Sequence, residues 1–136
     1  MKPMPKAVKD FLRDALVCRI ATVLPNGSPH VSPVCPVFDG QTMFVDVSHV
    51  GGTAKALEAD RRITVLIDDY YANWKRLRGV ILRTRAREVK GKEKDAAWRR
   101  IRRKFPQSRA AGWNPRLTLA LRIVGWQQWG IVPDKK

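Results

Sequence analysis

Residues 19–47 read RIATVLPNGSPHVSPVCPVFDGQTMFVDV, in which three apolar runs are separated by two turn signals. Asn26-Gly27 and Asp39-Gly40 are typical of two-residue hairpin turns, because those turns need positive φ angles that Asn, Asp and Gly tolerate. We therefore expect three consecutive strands that pair antiparallel. A fourth apolar run, Ile63 to Ile67, follows a short segment around Lys55. This order predicts a closed or partly closed barrel.

Helical periodicity appears in three other places. In residues 5–17 the apolar side chains fall on one helix face, which predicts an N-terminal helix packed on the barrel. The paired glycines of Gly51-Gly52 permit a tight turn before a short helix over Thr53 to Asp60, which Thr53 would cap. Residues 93–105 predict an amphipathic basic helix: Ala97, Ile101 and Phe105 lie on one side, opposite Arg99, Arg100, Arg102, Arg103 and Lys104.

Alternation describes the faces of one strand of the first hairpin and predicts two further strands. Residues 29–38 form the second strand of the first hairpin, with His30, Ser32 and Val34 facing away from Val31, Cys35 and Val37. Residues 78–89 place apolar groups on one face and Arg83, Arg85 and Arg87 on the other. Residues 117–124 alternate in the same way. We expect six strands in all.

Length and composition favour one domain over residues 1–136. The hydrophobic fraction is 44%, and no apolar run approaches the roughly 20 residues that cross a bilayer. The N-terminus carries no apolar secretion signal, so we expect a cytoplasmic protein. Cys18 and Cys35 lie in strand-like runs without a Cys/His cluster. They are interpreted as small buried hydrophobes, and no metal site is predicted.

The net charge of +15 is the compositional outlier, with a pI near 10.8. Residues 61–104 contain 16 Lys or Arg against 5 Asp or Glu. A field of this sign favours anionic partners such as nucleic acid, an acidic membrane surface or a phosphorylated cofactor. A solvated surface with high solubility is the alternative interpretation.

Catalytic patterns are scarce. His30 and His49 lack the Ser, Cys and carboxylate neighbours of a hydrolytic triad, and neither a P-loop nor a GxGxxG turn occurs. The segment Gly51-Gly52-Thr53-Ala54-Lys55 combines backbone amides at a glycine turn, a hydroxyl and a lysine. These groups would suit a phosphate. A merely structural helix start fits the same residues.

The order of several motifs resembles a known family. RIATV at 19–23, NGSPHVSPV at 26–34, Lys55 ahead of DRRI at 60–63, DDY at 68–70, Trp74 and LRGV at 77–80 follow the pattern of the pyridoxamine 5′-phosphate oxidase-like flavin-binding split barrels. The resemblance spans residues 11–89 and resumes at 122–131. It implies a six-stranded, mainly β split barrel with flanking helices that forms a homodimer and binds FMN or the deazaflavin F420 at the subunit interface.

The resemblance also implies site residues. His30, Val31, Ser32 and Pro33 would lie along the flavin edge, Asp46, Val47 and Ser48 would run beside the ring through main-chain contacts, and Thr53 and Lys55 would hold the phosphate. Trp74, Trp126 and Trp129 would cover the ring from the partner subunit, although tryptophans in a small barrel also serve the core or the dimer interface. The cofactor performs the hydride chemistry, so no catalytic side chain is assigned.

Departures from the family pattern shape the functional expectation. Ala54 stands where many relatives have an arginine beside the lysine, and the C-terminal substrate pattern of true pyridoxamine phosphate oxidases is missing. We therefore expect an FMN-dependent oxidoreductase acting on another small organic substrate, with an F420-dependent reductase as the alternative. A nucleic-acid-binding protein that uses the basic helix is the second alternative, although helix-turn-helix, zinc-finger and RNP-like motifs are lacking.

Overall fold

The computed structural model of the protein describes residues 1–131, so the last five residues of the predicted domain lie outside the described residues. The main elements are α1 (Lys6–Asp14), β1 (Cys18–Val23), β2 (Pro29–Val34), β3 (Val37–Asp39), β4 (Thr42–Val47), α2 (Gly52–Leu57), β5 (Arg62–Asp69), β6 (Arg78–Glu88), α3 (Gly91–Lys104) and β7 (Leu117–Trp129). Short 3-10 turns cover Trp74–Arg76 and Pro106–Ser108.

All seven strands form one antiparallel sheet in the order β2-β1-β5-β6-β7-β4-β3. β2 and β3 lie at opposite edges, yet only Cys35 and Pro36 separate them in the chain. The sheet must therefore curl until its two edges approach each other. The result is a split barrel with flanking helices, which confirms the predicted fold class.

The prediction of a single strand over residues 29–38 is wrong, because the structure has two strands there, β2 and β3. Pro36 has no N–H with which to continue a ladder, and the chain leaves the β1 side of the sheet at Val34 and joins β4 at Val37. This break raises the number of strands from the expected six to seven. It also produces the split in the barrel.

Both hairpins are confirmed, but the turn chemistry differs from the prediction. Only glycine residues have positive φ in residues 1–131, with Gly27 at +90° and Gly40 at +61°. In the first turn Gly27 N–H donates to the Leu24 carbonyl (2.8 Å). Asn26 contributes its side-chain oxygen instead, which accepts from Ser28 N–H (2.9 Å). The loop between β1 and β2 is therefore five residues long.

Two apolar clusters hold the fold together. The larger one fills the barrel and includes Ile20, Val65, Leu82 and Leu121. The smaller one lies between the sheet and α3. α3 contributes Ala97, Trp98 and Ile101, with Phe105 following, as the amphipathic pattern predicted. Because β4 is covered on both faces, five of its six residues are buried.

The element ends differ from the predicted ends in three places. α1 stops at Asp14, which leaves Leu16 exposed instead of on the buried helix face. α2 begins at Gly52, so Thr53 lies inside the helix and does not cap it. β7 continues past the predicted end at Val124 to Trp129, through a bulge where β6 and β7 change register. None of the helices within residues 1–131 is both long and apolar enough to span a bilayer.

Candidate functional site

A cleft of about 320 Å³ opens at the split of the barrel, where β2 and β4 diverge and the first turn of α2 sits between them. Seven of the predicted site residues line it: His30, Ser32, Pro33, Asp46, Val47, Ser48 and Thr53. Val34, Gly51, Gly52 and Arg116 complete the lining. The structure thus brings together three separate segments of the sequence: residues 30–34, residues 46–53 and Arg116.

One wall of the cleft is the imidazole of His30 packed on Gly52. A Cβ built at Gly52 would lie 2.5 Å from Cε1 of His30, closer than carbon atoms can approach. Only glycine therefore allows the ring its position. The paired glycines do more than form a turn, because Gly52 decides where the histidine side chain lies.

The start of α2 supplies hydroxyl and amide groups. Thr53 is buried, and its Oγ1 lies 3.5 Å from Oγ of Ser32 across the cleft. The first N–H groups of any α-helix lack partners within the helix, so this end of α2 favours an anion. Lys55 is exposed and is not among the lining residues. Its predicted contact with a phosphate stays a prediction.

A buried hydrogen-bond network supports the opposite wall. The Asp46 side chain has no exposed surface, and its carboxylate accepts from Arg116 N–H (3.0 Å), Arg116 Nε (3.1 Å) and Thr118 Oγ1 (2.9 Å). Trp98 Nε1 in α3 donates to the same threonine oxygen (3.0 Å). A buried carboxylate needs such partners to remain charged. The Asp46 side chain therefore serves the fold, while its backbone borders the cleft.

Arg116 is the site residue that the sequence did not reveal. It precedes β7 within no recognisable motif, and a single arginine among 27 Lys and Arg carries no signal. Its side chain is 47% exposed, and its two terminal nitrogens make no hydrogen bond within residues 1–131. Arg116 thus brings a positive charge, fixed at Nε by Asp46, to the edge of the cleft.

Besides Lys55, four predicted residues lie outside the cleft lining. Val31 is 62% exposed on the outer face of β2, and Trp74 is 72% exposed. Trp129 is partly exposed, with its ring against Gly79. Trp126 is buried in the barrel cluster, and its Nε1 donates to the Lys2 carbonyl (3.1 Å). Trp126 is therefore a core residue, and within one chain no tryptophan reaches the cleft.

The basic helix is less free than the sequence suggested. Lys104 Nζ donates to the Pro36 carbonyl (2.8 Å), Arg102 lies over the Trp98 ring, and Arg100 pairs with Asp39. Of the five, Arg99 and Arg103 are exposed and the other three are half-buried. α3 uses most of its cationic side chains to bind the sheet edge and itself, which leaves little for nucleic acid.

Cys18 is buried, as predicted, whereas Cys35 is only half-buried. Burial raises the pKa of the Cys18 thiol to about 12, and burial also raises the pKa of Cys35. Both thiols are free. Within the described part of the chain no group of His, Cys, Asp or Glu could hold a metal ion.

Comparison with known proteins supports a family assignment. The model of the family described as pyridoxamine 5′-phosphate oxidase matches residues 4–130. No curated protein matches the chain.

Several solved structures share the fold. HutZ, the heme storage protein from Vibrio cholerae, is 16% identical with a TM-score of 0.78, over 93% of this chain and 94% of that one. A heme binding protein from Mycobacterium smegmatis is 19% identical with a TM-score of 0.77, over 95% of this chain but only 56% of that one. An FAD-binding protein from Mesorhizobium loti is 18% identical with a TM-score of 0.68, over 88% and 89%.

Proposed function

Because the chain belongs to the pyridoxamine 5′-phosphate oxidase family, we propose that it is an FMN-dependent oxidoreductase that binds its cofactor in the cleft at the split of the barrel. The observation that carries the proposal is the convergence of seven predicted site residues on that one cleft. A ligand site would explain why residues of β2, β4 and α2 meet at one place, because packing of the hydrophobic core does not require them to meet.

The polar groups of the cleft suit the anionic part of a flavin nucleotide. Thr53 and the amides at the start of α2 would receive the phosphate, with Lys55 as a nearby point charge. Arg116 provides a second cation on the opposite wall. It would compensate for Ala54, which replaces the arginine that many relatives carry beside the lysine. The phosphate would then be held from two sides.

The chain's own contribution to catalysis is position and electrostatics. A bound flavin supplies hydride transfer to or from a small organic substrate, and the protein needs no acid or base of its own for that step. His30, held against Gly52, would fix one edge of the ring. Arg116 acts on the phosphate in this proposal, so no cation of the cleft is assigned to the negative charge that develops on the ring during reduction.

A homodimer would complete the site. The cleft is open to solvent in one chain. Two apolar side chains are exposed near its lining residues: Val50, next to Gly51, and Val31, on the outer face of β2. A second copy would cover them and exclude water from the cofactor. Trp74 and Trp129, both partly or largely exposed, would be available to stack on the flavin from the partner subunit. These contacts are part of the proposal.

F420 is the second candidate cofactor. Its longer polyanionic tail would match the net charge of +15, which exceeds what a single phosphate needs. The heme-binding proteins of similar fold add heme as a ligand to test, because His30 is an imidazole that borders the cleft.

The test begins with the absorbance spectrum of the purified protein, followed by titration with FMN, F420 and heme. We expect binding of FMN at micromolar concentrations. Lys55→Ala and Arg116→Gln should each weaken FMN binding by about tenfold, the value of one charge-assisted contact. Lys92→Ala, an exposed lysine of α3, is the matched control and should leave binding unchanged.

Each other result has a definite meaning. Binding of F420 but not FMN would mean that the deazaflavin, and not FMN, is the cofactor. A Soret band with added heme that is lost in His30→Ala would replace it with a heme protein. No affinity for any of the three would refute a cofactor site in the cleft and would favour nucleic-acid binding as the function.

A further inference from the structure

A row of arginines crosses three adjacent strands on the outer face of the barrel. Arg62 of β5 is directly opposite Arg85 of β6, and Arg85 is directly opposite Arg122 of β7. Arg83 lies two residues along β6 on the same face. All four side chains are exposed. Like charges directly opposite each other in a sheet destabilise it, so nothing in the fold itself favours this arrangement.

Few acidic groups compensate for the row. Asp60 is engaged by Arg62, whose Nη2 donates to it at 2.7 Å, and this pairing lowers the pKa of Asp60 to about 2. Within residues 1–131, Arg83, Arg85 and Arg122 form no ion pair with a carboxylate. The positive charge is therefore available to an external anion.

The row borders a pocket of about 530 Å³, which we name the arginine pocket. Its lining comprises Ala21, Thr22, Val23, Pro29, Asp60, Arg62, Ile63, Thr64, Arg83, Thr84, Arg85 and Val124. The lining is thus apolar along one side and carries three arginines against one carboxylate. Pro29 lines this pocket while its neighbour His30 lines the cleft, so the two sites are distinct.

Two details indicate a prepared site. The guanidinium of Arg83 lies against Gly125, where a Cβ would come within 2.7 Å of its Nη2, so the bulge in β7 makes room for that side chain. The exposed apolar side chains of Val23 and Val124 lie in the same lining as the arginines, which gives the pocket an apolar wall beside its charge.

We propose that the arginine pocket binds a small amphipathic anion. Its apolar body would lie against the exposed side chains of Val23 and Val124, and its acidic head group would contact Arg83 and Arg85. The apolar concavity favours a small molecule over nucleic acid, which would use the charge and leave the pocket empty. This inference does not depend on the cofactor proposed for the cleft.

The test compares octanoate with 1-octanol, which has the same chain length and no charge, by titration calorimetry on the full-length protein. We expect octanoate to bind about tenfold more tightly than 1-octanol, as one charge-assisted contact would give. Arg85→Gln should remove that difference. Arg99→Gln, which deletes one exposed charge on α3, should leave it intact.

A thermal melt of the same variants separates this role from a structural one. Arg85→Gln relieves the like-charge contacts, so at low salt it should raise the melting temperature by roughly 1–4 °C while weakening octanoate binding. If Arg85 served stability instead, Arg85→Gln would lower the melting temperature.

Four results would overturn the proposal. The first is equal binding of octanoate and 1-octanol. The second is octanoate binding that Arg85→Gln leaves unchanged. The third is a change in oligomeric mass in Arg85→Gln, which would make the row a subunit interface. Tight binding of a DNA duplex that Arg85→Gln abolishes, without octanoate binding, would assign the row to nucleic acid. Failure of FMN to bind the cleft would leave all these measurements valid.

Discussion

Replacing Gly52 by alanine tests the geometry of the cleft directly. The added methyl carbon would lie 2.5, 2.6 and 2.8 Å from Cε1, Nε2 and Nδ1 of His30. Ordinary contacts begin at 3.4 Å, so the ring must withdraw by about 1 Å. Gly52 does not have a positive φ, so the backbone itself accepts alanine. The perturbation is therefore confined to the histidine.

The expected cost falls on binding rather than on stability. Alanine favours a helix over glycine by up to about 1 kcal/mol, which offsets part of the strain of moving the ring. We expect unfolding in urea to change by less than about 1 kcal/mol, because the side chain can swing toward solvent. FMN binding should weaken by about tenfold, and turnover with a bound flavin should fall by up to about 100-fold, since 1 Å misplacements have that effect.

Gly51→Ala is the matched control. Its new Cβ would lie 3.5 Å from Cβ of Ser48, an ordinary contact, and Gly51 likewise has no positive φ. It should bind FMN like the unmodified protein. If Gly52→Ala binds FMN as tightly as Gly51→Ala does, the wall formed by His30 has no role in the site, and the reasoning fails.

Three further predictions concern the network, the core and the thiols. Asp46→Asn replaces a buried carboxylate that accepts three hydrogen bonds, and should lower the free energy of unfolding in urea by about 2–3 kcal/mol; an unchanged midpoint would contradict the network. Trp126→Phe should cost about 1 kcal/mol through the lost bond to Lys2 and leave FMN affinity unchanged, whereas weaker FMN binding would contradict its core placement. The fold raises the pKa of Cys18 from 9.0 to about 12, so the stability that comes from its protonated form is complete below pH 9 and is lost as the pH rises toward 12. Cys18→Ala should therefore show a smaller loss of stability over that range, and alkylation at pH 8 should reach Cys35 before Cys18.

Much of the fold could be predicted from local chemistry. Asn26-Gly27 and Asp39-Gly40 mark real hairpins because glycine supplies the positive φ that each turn needs, and strict alternation located the long strands. The break at Pro36 could not be predicted from the sequence. Proline lacks a backbone N–H, and whether this ends a strand depends on which neighbouring strand would have needed that donor. The exposure of Leu16 follows from a helix end that periodicity does not define.

The site was predicted in part for the same reason. Alternation in β2 places Val31 on the face opposite to His30 and Ser32, and Val31 accordingly lies outside the cleft lining. Pro33 borders the cleft all the same, at the penultimate position of β2. Arg116 could not be predicted because its role depends on Asp46, seventy residues away in the chain. The role of Trp126 likewise depends on contact with the N-terminal segment, which no local pattern encodes.

The distribution of charge connects these observations. On α3 the cationic side chains of Arg100, Arg102 and Lys104 bind groups of the protein itself, so the most basic segment of the sequence is not its freest surface. Arg83, Arg85 and Arg122 of the arginine row form no ion pair within residues 1–131, and the row lies next to a concave surface. Arg116, paired with Asp46 through Nε, borders the cleft. Charge retained at a cost to stability, and placed beside a cavity, is explained by a ligand better than by solubility. Under the two proposals made above, this charge serves two small-anion sites and not one broad electrostatic surface.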